Sequence, residues 1–204
     1  METTKVILQG GGQHALVVIE CLLSQGAEVV ALFDPKFDDH LFDIPQRGEY
    51  DPNFEPNLAA IIAIGENAIR KRVVGKTKHK FTNAIHSSVI FSRYAIIGTG
   101  NMILQGAIVQ AQTTIGNHVI INTGTQVDHD CLVEDYTHLA PGVVLCGNVR
   151  IGEGAFVGAG AVVLPGKTIG AWATVGAGAV VVDDIPDHAV AVGNPAKIIK
   201  YSTV

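Results

Sequence analysis

The chain has 204 residues, 48% of them hydrophobic and 16% charged, with a formal net charge of -5, and that length suffices for one large or two small domains. The slightly acidic balance, without long runs of like charge, argues against binding to nucleic acid or another polyanion. No apolar stretch approaches the roughly 18 residues of a membrane span, and the N-terminus begins as a strand rather than as a basic signal sequence, so we expect a cytoplasmic protein without membrane contact.

Residues 1–82 have the pattern of a small Rossmann-like α/β domain with a parallel sheet. Lys5–Gln9 and Glu28–Phe33 are predicted strands, and residues 15–24 between them are apolar at helical spacing. Residues 35–57 are polar and proline-rich, which predicts a connecting loop, with or without a short strand. The remaining predicted elements are a buried strand at 58–64, a helix at 68–76 and a fourth strand at 80–84.

Three loops follow the carboxyl ends of the predicted parallel strands, where ligands bind in open α/β sheets. The first contains Gly10, Gly11 and Gly12, the second begins with Asp34, and the third comprises residues 64–67. Glycines let a diphosphate approach the backbone, the next helix N-terminus is partly positive, and Asp34 is placed to accept hydrogen bonds from a ribose or base. Taken alone, the glycines also fit a plain tight turn. Without full G-x-G-x-x-G spacing they do not indicate a dinucleotide cofactor.

A six-residue repeat organises the chain from Ile97 to Val181, and its register extends back to Phe91 and Ile85. Ordinary strands joined by loops would alternate with period two and break at variable loops. The repeat instead predicts a left-handed parallel β-helix over 83–183, with three hexapeptides per triangular coil and a tail at 184–204. The aliphatic positions are Ile97, Ile103, Val109, Ile115, Ile121, Val127, Val133, Leu139, Leu145, Ile151, Val157, Val163, Ile169, Val175 and Val181.

Two other positions of the hexapeptide are specialised. Small residues occupy the fourth position after the aliphatic, as at Ala107 and Ala155, and are predicted to fit beside it at the inner corner. Glycine often follows the aliphatic directly, as at Gly98 and Gly152, where we expect the turn to need the backbone freedom of glycine.

The three cysteines, Cys21, Cys131 and Cys146, are an odd number without C-x-x-C spacing, which predicts reduced thiols. A metal site is not expected. The alternative is a ligand pair of His129 and Cys131, which would point the same way on an extended strand.

Five segments, in their order along the chain, identify a family. They are GGGQHALVVIE, FDP after the second strand, AIGENAIRKR after the third, VDHDCLVEDYTHLAPG in the repeat and GNPAK near the end. Together they resemble the bacterial hexapeptide-repeat sugar acyltransferases, which include sialic acid O-acetyltransferases and PglD-type N-acetyltransferases of nucleotide-linked amino-sugars. The resemblance covers essentially the whole chain. It implies acetyl-CoA as the acyl donor and a homotrimer whose active sites lie between neighbouring prisms.

The resemblance also implies a nucleotide-sugar site on the α/β domain. The family histidine falls on His14, and Gln13 stands where the common pattern has glycine. Arg70 is expected to reach a phosphate unless it is an ordinary solvated arginine. The substrate-binding residues that the resemblance implies are Gly10, Gly11, Gly12, His14, Asp34, Pro35, Ile64, Gly65, Asn67 and Arg70.

His129 and Asp130 are the expected catalytic pair. His129 comes two residues after the inward Val127, so it is predicted to emerge at a corner and face a groove. The resemblance places the general base at this histidine and an acidic partner directly after it. A neutral imidazole accepts a proton from an attacking amine or hydroxyl, and a carboxylate bonded to its other nitrogen fixes its tautomer.

His138 follows nine residues later, half of a coil, so the two histidines of one prism are predicted to meet only between neighbouring subunits. The resemblance places His138 near the thioester, whereas His86 and His118 lack such context and are interpreted as polar surface positions. Small residues leave room for pantetheine, a backbone N–H at Gly147 would suit an oxyanion, and lysines suit the CoA phosphates, although Lys197 also fits plain solvated charge. The expected acetyl-CoA residues are His138, Gly142, Gly147, Ala159, Lys167, Gly176 and Lys197.

The sequence and the resemblance together predict direct acetyl transfer from acetyl-CoA to the amino group of a nucleotide-linked amino-sugar. A UDP-linked 4-amino-4,6-dideoxyhexose is the favoured acceptor. Cys131 is expected to point inward, which disfavours a covalent acyl-enzyme. Two alternatives remain open: acetylation of a sugar hydroxyl, as in sialic acids, and a non-catalytic nucleotide-sugar-binding scaffold.

Overall fold

The computed structural model describes residues 3–36 and 41–202, and its α/β domain follows the predicted elements closely. The first two strands have their predicted bounds, both helices begin slightly earlier than predicted, and the loop does contain a short strand. The predicted fourth strand is split, because residues 80–81 complete this sheet and residues 84–85 already belong to the β-helix. The elements are β1 (Lys5–Gln9), α1 (Gln13–Ser24), β2 (Glu28–Phe33), β3 (Gln46–Arg47), β4 (Ala59–Ile62), α2 (Asn67–Val74) and β5 (Lys80–Phe81).

The sheet of this domain has the strand order β3-β2-β1-β4-β5, and every neighbouring pair is parallel, which confirms the Rossmann-like prediction. Parallel pairing brings the ends of β1, β2 and β4 to one edge, where the three predicted ligand loops begin. Neither α1 nor α2, the helices in the described part of the chain, is long and apolar enough to cross a membrane.

The repeat folds into a triangular prism of two-residue parallel strands, which confirms the predicted β-helix. The first face contains β6 (Ala84–Ile85), β9 (Met102–Ile103), β12 (Ile120–Ile121), β15 (His138–Leu139), β18 (Phe156–Val157) and β21 (Thr174–Val175). The second face contains β7 (Ile90–Phe91), β10 (Ile108–Val109), β13 (Gln126–Val127), β16 (Val144–Leu145), β19 (Val162–Val163) and β22 (Val180–Val181). The third face contains β8 (Ile96–Ile97), β11 (Thr114–Ile115), β14 (Leu132–Val133), β17 (Arg150–Ile151) and β20 (Thr168–Ile169).

The interior of the prism is built from the repeating aliphatics. From Ile103 to Val181 all of them are buried, and in the first coil Ile85, Phe91 and Ile97 are partly buried. The small residues at the fourth position are buried as predicted, from Ala107 to Ala179. The core is therefore a stack of similar layers, one per coil. Burial of each such aliphatic side chain stabilises the fold by about 1.5–3 kcal/mol.

The glycines that follow the aliphatics have a different cause from the predicted one. None of them has φ in the left-handed region, and a Cβ at Gly152 would lie 2.6 Å from the backbone nitrogen of Ala171 in the next coil. They are therefore required by the close approach of successive coils. The left-handed residue comes two positions later in each hexapeptide from Ile97 to Val175, for example at Gly160 (φ 66°) and Asp130 (φ 59°).

Helix α1 joins the two domains. Its buried side, which includes Val18 and Leu22, packs in one apolar cluster with Met102, Leu104 and Ile120 of the β-helix. The α/β domain thus covers the N-terminal coils of the first face. This contact brings the ligand edge of the sheet beside β15.

The segment expected as a tail belongs to the β-helix over its described residues. Ile185 bridges to Ile169 and continues the third face. Strand β23 (Ala189–Val192) pairs in parallel with β21, and β24 (Lys197–Tyr201) returns antiparallel to β23. These strands extend the first face by one coil and close its end.

Candidate active site

His129 and Asp130 lie at the corner between the second and third faces, in the turn from β13 to β14. Nδ1 of His129 is 2.7 Å from Oδ2 of Asp130, and the two side chains are 60% and 56% exposed. A carboxylate only accepts hydrogen bonds, so Nδ1 carries the proton and Nε2 is left with a free lone pair. The bond to Asp130, with a further contribution from the charge of Asp128, raises the pKa of His129 above its ordinary value.

The His129 ring lies directly over Gly147 in the next coil. A Cβ at residue 147 would be 2.7 Å from Cε1 and 2.8 Å from Nε2 of His129. Gly147 does not have positive φ, so its backbone conformation does not by itself require glycine. Glycine at 147 is therefore needed for the imidazole to occupy this position.

His138 lies on the first face, on the opposite side of the prism from His129, as predicted. Its Nδ1 is 3.0 Å from the Gly65 carbonyl oxygen, and its Nε2 is 3.1 Å from Nδ2 of Asn122. Oδ1 of Asn122 accepts from the Thr123 backbone N–H at 2.8 Å, which turns the amide nitrogen towards the ring. Burial lowers the pKa of His138 to about 4, so this imidazole is neutral at physiological pH.

Asn122 was not among the predicted site residues. It follows the inward Ile121 directly, at the position that glycine occupies in hexapeptides such as the one with Gly152. Its position was the only indication of a role: it directly follows β12, the strand that pairs with β15 and His138 in the next coil. The cross-coil contact itself depends on the rotamers of both side chains, which the repeat does not specify.

His14 is the second imidazole beside this face. Its ring centroid is 6.0 Å from that of His138, and burial, helped by the charge of Arg70, lowers its pKa to about 4. Its Nε2 is buried without a hydrogen-bond partner among the described residues. A buried polar atom without a hydrogen-bond partner destabilises the folded protein. A polar ligand group that bonds to this nitrogen would remove that cost, so His14 is suited to bind one.

The glycine turn and Asp34 form one unit at the sheet edge. Gly10 has φ 100°, and a Cβ there would lie 2.6 Å from Cγ1 of Ile64. The Gly11 N–H donates to Oδ2 of Asp34 at 2.6 Å, and Oδ1 accepts from the Lys36 N–H at 2.9 Å. Each oxygen of the carboxylate has a second lone pair, which stays available to a ligand. Pro35, the next residue, is exposed.

The two helix N-termini at this edge differ in their capping. Gly12 caps α1 without any side-chain hydrogen bond, so the first N–H groups of α1 keep their partial positive charge for a ligand. Glu66 caps α2, and its carboxylate accepts from the Ala68 and Ile69 N–H groups at 3.1 and 2.7 Å. A diphosphate is therefore favoured at α1 and disfavoured at α2.

Arg70 and Asn67 bond to the protein itself through their side-chain donors. Arg70 is fully buried, and all five N–H donors of its guanidinium bond to protein oxygens. Asn67 is 7% exposed, and its Nδ2 donates to the carbonyl oxygens of Gly154 and Ala155 at 3.0 and 3.1 Å. Neither side chain has a donor left for a phosphate, so the prediction that Arg70 reaches one was wrong. Asn67 does line the cleft beside α2, and its assignment to the substrate site stays a prediction.

Two further expectations are corrected. His118 is not a surface residue but 4% exposed; its ring stacks on Tyr136 with centroids 5.4 Å apart, and burial lowers its pKa to about 4. His129 and Cys131 do not point the same way, because Cys131 is 2% exposed inside the prism. His86, by contrast, is partly exposed and bonds to Ser88.

The predicted acetyl-CoA residues fall on different sides of one protomer. Gly147 and Lys167 lie near the corner of His129, whereas Gly142 and Ala159 are exposed in successive coils at the corner between the first and second faces. A Cβ at Gly176 would lie 2.7 Å from Cγ1 of Val192, so packing within the chain already explains that glycine. Lys197 is exposed at the start of β24. One protomer therefore does not bring these residues into a single groove.

A cleft of about 350 Å³ separates the N-terminal turn of α2 from the first face. Its walls include Gly65, His138, Phe156, Trp172 and Thr174. The last three were not predicted, because they are ordinary members of the repeat and become wall residues only through the docking of α2.

Comparison with known proteins adds to this geometry. The chain matches the family model of the PglD N-terminal domain over residues 5–77 and the bacterial transferase hexapeptide model (six repeats) over residues 130–165 and 148–183. It is 34% identical over 104 residues to GDP-perosamine N-acetyltransferase of Escherichia coli O157:H7, an alignment that covers 50% of this chain and 47% of that protein. The chain thus spans about half the length of this curated relative.

Two solved structures resemble nearly the whole chain. A histidine-to-asparagine variant of perosamine N-acetyltransferase from Caulobacter crescentus, in complex with CoA and GDP-perosamine, is 40% identical with a TM-score of 0.93, and the match covers 98% of both chains. The acetyltransferase domain of PglB from Neisseria gonorrhoeae, in complex with acetyl coenzyme A, is 35% identical with a TM-score of 0.90, over 97% of this chain and 100% of that one.

Proposed function

The chain belongs to the hexapeptide-repeat sugar acetyltransferases of the PglD type, and on that premise we propose that it transfers an acetyl group from acetyl-CoA to the amino group of a nucleotide-linked amino-sugar. The observation that carries this proposal is the His129–Asp130 pair. Its 2.7 Å bond holds the proton on Nδ1 and leaves Nε2 exposed as a base. The near full-length likeness to N-acetyltransferases bound to CoA supports it.

In this reaction the sugar nitrogen attacks the thioester carbonyl while Nε2 of His129 removes the proton of the amine. The tetrahedral intermediate collapses to an amide, and the thiolate of CoA leaves and takes up that proton. General base catalysis of this kind contributes typically 10²–10⁴-fold. Gly147 N–H and the second N–H of the Asn122 amide are the candidate donors to the oxyanion.

Transfer is direct rather than through an acyl-enzyme. The thiol of Cys131 is buried and lies 3.2 Å from the Cys146 carbonyl oxygen. Burial raises the pKa of this thiol, which keeps it protonated and poorly nucleophilic. The amine is itself the nucleophile, so the reaction needs no covalent carrier.

The α/β domain binds the nucleotide. The uncapped N-terminus of α1 receives the diphosphate, and Asp34 accepts hydrogen bonds from the ribose or base. Of the predicted wall residues, Ile64 and Gly65 flank the sugar, and His14 offers its unpaired Nε2. We place a GDP-linked 4-amino-4,6-dideoxyhexose ahead of the UDP-linked sugar first expected, because full-length structural relatives carry GDP-perosamine.

The active enzyme is a homotrimer in this proposal. His129 and His138 lie on opposite sides of one prism, and the predicted acetyl-CoA residues flank different corners, so one site needs two protomers. The second face is suited to contact a neighbour, since its outward residues are mostly aliphatic: Ile90, Ile108, Val144, Val162 and Val180. We place the enzyme in the cytoplasm, where acetyl-CoA is made.

The substrate class is tested by thiol release from acetyl-CoA against GDP- and UDP-linked amino-sugars, free sialic acids and free serine. We expect turnover on at least one nucleotide-linked amino-sugar and none on serine. Turnover on free sialic acid alone would move the assignment to O-acetylation. Binding of a nucleotide-sugar without turnover of any compound would favour the scaffold.

The shared site predicts complementation between two inactive variants. When His129→Ala and His138→Ala chains are co-expressed, random assortment in a ring of head-to-tail interfaces restores both histidines at about a quarter of the sites. Purified mixed trimers should recover turnover in that proportion, relative to wild type. A mixed sample as inactive as either variant alone would contradict the shared site.

Asp130→Asn is expected to move the pH profile. Neutral His129 is the base, so activity is present above the pKa of His129 and is lost as pH falls through it. Because Asp130 raises that pKa above its ordinary value of about 6.5, the acid limb of the pH profile lies above that value. In Asp130→Asn the acid limb of kcat/KM should shift to lower pH, while the plateau falls about tenfold because the tautomer is no longer fixed. Asp128→Asn is the control, and its shift should be smaller. An unshifted limb in Asp130→Asn would argue against His129 as the titrating base.

A further inference from the structure

Arg70 attaches the loop of residues 64–67, one of the predicted ligand loops of the α/β domain, to the β-helix. Within its own domain, its Nη1 donates to the Ile64 and Gly65 carbonyl oxygens at 3.0 and 3.2 Å, and its Nη2 to Oδ1 of Asn67 at 2.8 Å. Across the domain contact, Nε donates to the His118 carbonyl oxygen at 2.9 Å and Nη2 to that of Tyr136 at 2.6 Å. Breaking such a buried set leaves several carbonyl oxygens unpaired, which makes the arrangement rigid.

The Gly65 carbonyl oxygen connects this arginine to the active site. It accepts from Nη1 of Arg70 and from Nδ1 of His138, at 3.2 and 3.0 Å. A carbonyl oxygen has two lone pairs, so both are used. Because the oxygen only accepts, His138 carries its proton on Nδ1, and its Nε2 faces the amide of Asn122 as an acceptor.

We propose that Arg70 is a positioning residue for acetyl transfer: it holds the Gly65 carbonyl against His138 and thereby fixes the tautomer and the place of that imidazole. The inference rests on the proposed function only in assigning His138 to the reaction. The tautomer itself follows from the contacts and can be measured without any substrate.

The charge of Arg70 favours the neutral form of His138, whereas the Gly65 carbonyl that Arg70 holds in place raises the pKa of that imidazole. Besides Arg70, the groups beside its ring are His14, the Gly65 carbonyl, the Asn122 amide and the Phe156 ring. Burial is the main cause that lowers the pKa of His138 to about 4. The positive charge adds to that lowering for His14, His118 and His138 alike. Burial lowers the pKa of Arg70 to about 10, and the negative charge of Glu66 opposes that lowering.

Lys71, the next residue of α2, supplies a matched control. Its ammonium bonds to Glu153 and lies 5.6 and 5.3 Å from the ring centroids of Tyr136 and Trp172. It therefore also fastens α2 to the β-helix, but it does not touch Gly65. Both Arg70 and Lys71 variants should loosen the docking of α2, Lys71 variants by less because its ion pair is partly exposed. Loss of His138 positioning should affect Arg70 variants alone.

The test compares Arg70→Met, Arg70→Lys and Lys71→Met in the full chain. Nitrogen-15 NMR of the His138 imidazole, without substrate, should show a single Nδ1–H tautomer in wild type and Lys71→Met and a mixture in both Arg70 variants. Steady-state kinetics should show kcat reduced roughly 10- to 100-fold in the Arg70 variants, with the KM for acetyl-CoA unchanged. Arg70→Lys keeps the charge and serves if Arg70→Met fails to fold.

Three results would overturn the inference: an Nε2–H tautomer in wild type, an unchanged tautomer and kcat in Arg70→Lys, or equal losses in Lys71→Met. A wild-type chain that shows the expected tautomer but no acetyl transfer would instead count against the proposed function and leave the positioning of His138 intact.

Discussion

His129→Ala should lower kcat by a factor on the order of 10²–10⁴, the usual contribution of a general base. The KM values for both substrates should change little, because the side chain is 60% exposed and contacts Asp130 rather than the domain that binds the nucleotide. Exposed substitutions of this kind leave stability within about 0.5 kcal/mol, so the lost rate is not a folding effect. Initial rates at saturating acetyl-CoA and calorimetric unfolding measure the two quantities.

The control for this variant is His86→Ala. His86 is a partly exposed histidine of the first coil, and among the described residues its side chain bonds only to Ser88. It should retain wild-type kcat. A His129→Ala enzyme within a factor of about three of wild type would mean that the amine loses its proton to water or to another group, since removal of a working base costs far more.

Gly147→Ala should be almost as damaging although it removes no functional group. The added methyl carbon would lie 2.7 and 2.8 Å from Cε1 and Nε2 of His129, closer than real Cβ contacts. The exposed ring is the part that can move, so the chain should fold normally while the base leaves its position. Misplacement by about 1 Å costs on the order of 10²-fold in rate, and we expect that loss in kcat.

Gly48→Ala is the matched control, because a Cβ at Gly48 meets no atom of the described residues within 4 Å and the residue lacks positive φ. Its kinetics should equal wild type. A combined Gly147→Ala and His129→Ala enzyme should be no slower than His129→Ala alone, since both changes act on one imidazole. Additive losses in that double variant would show that Gly147 acts on the reaction by some other route.

The fold could be predicted from the sequence because its rules are local and repeated. One inward aliphatic in every hexapeptide determines the faces of the prism, and the βαβ pattern determines the ligand edge of the sheet. The position of His129 followed from its distance to the inward Val127. Even here a local argument assigned the wrong cause to Gly152, since the close approach of the next coil is not visible in one hexapeptide.

The contacts between the domains could not be predicted, because no repeat or motif spans them. Arg70 has an ordinary helical context in sequence, and only the docking of α2 on the prism brings it against the carbonyl oxygens of His118, Tyr136 and Thr137. His118 becomes a core residue through the same contact. Asn122 enters the site through a bond to His138 one coil away, which depends on side-chain geometry.

Identification of the bond that the enzyme forms tests acetyl transfer to the sugar nitrogen most directly. The protein is incubated with acetyl-CoA and, in parallel, with GDP- and UDP-linked 4-amino-4,6-dideoxyhexoses, and the mass of each sugar product is measured before and after treatment with hydroxylamine. We predict one added acetyl group that survives the treatment, as an amide does. An acetyl group that hydroxylamine removes would be an ester on a hydroxyl, and that result, or no transfer to any nucleotide-linked amino-sugar, would contradict the account.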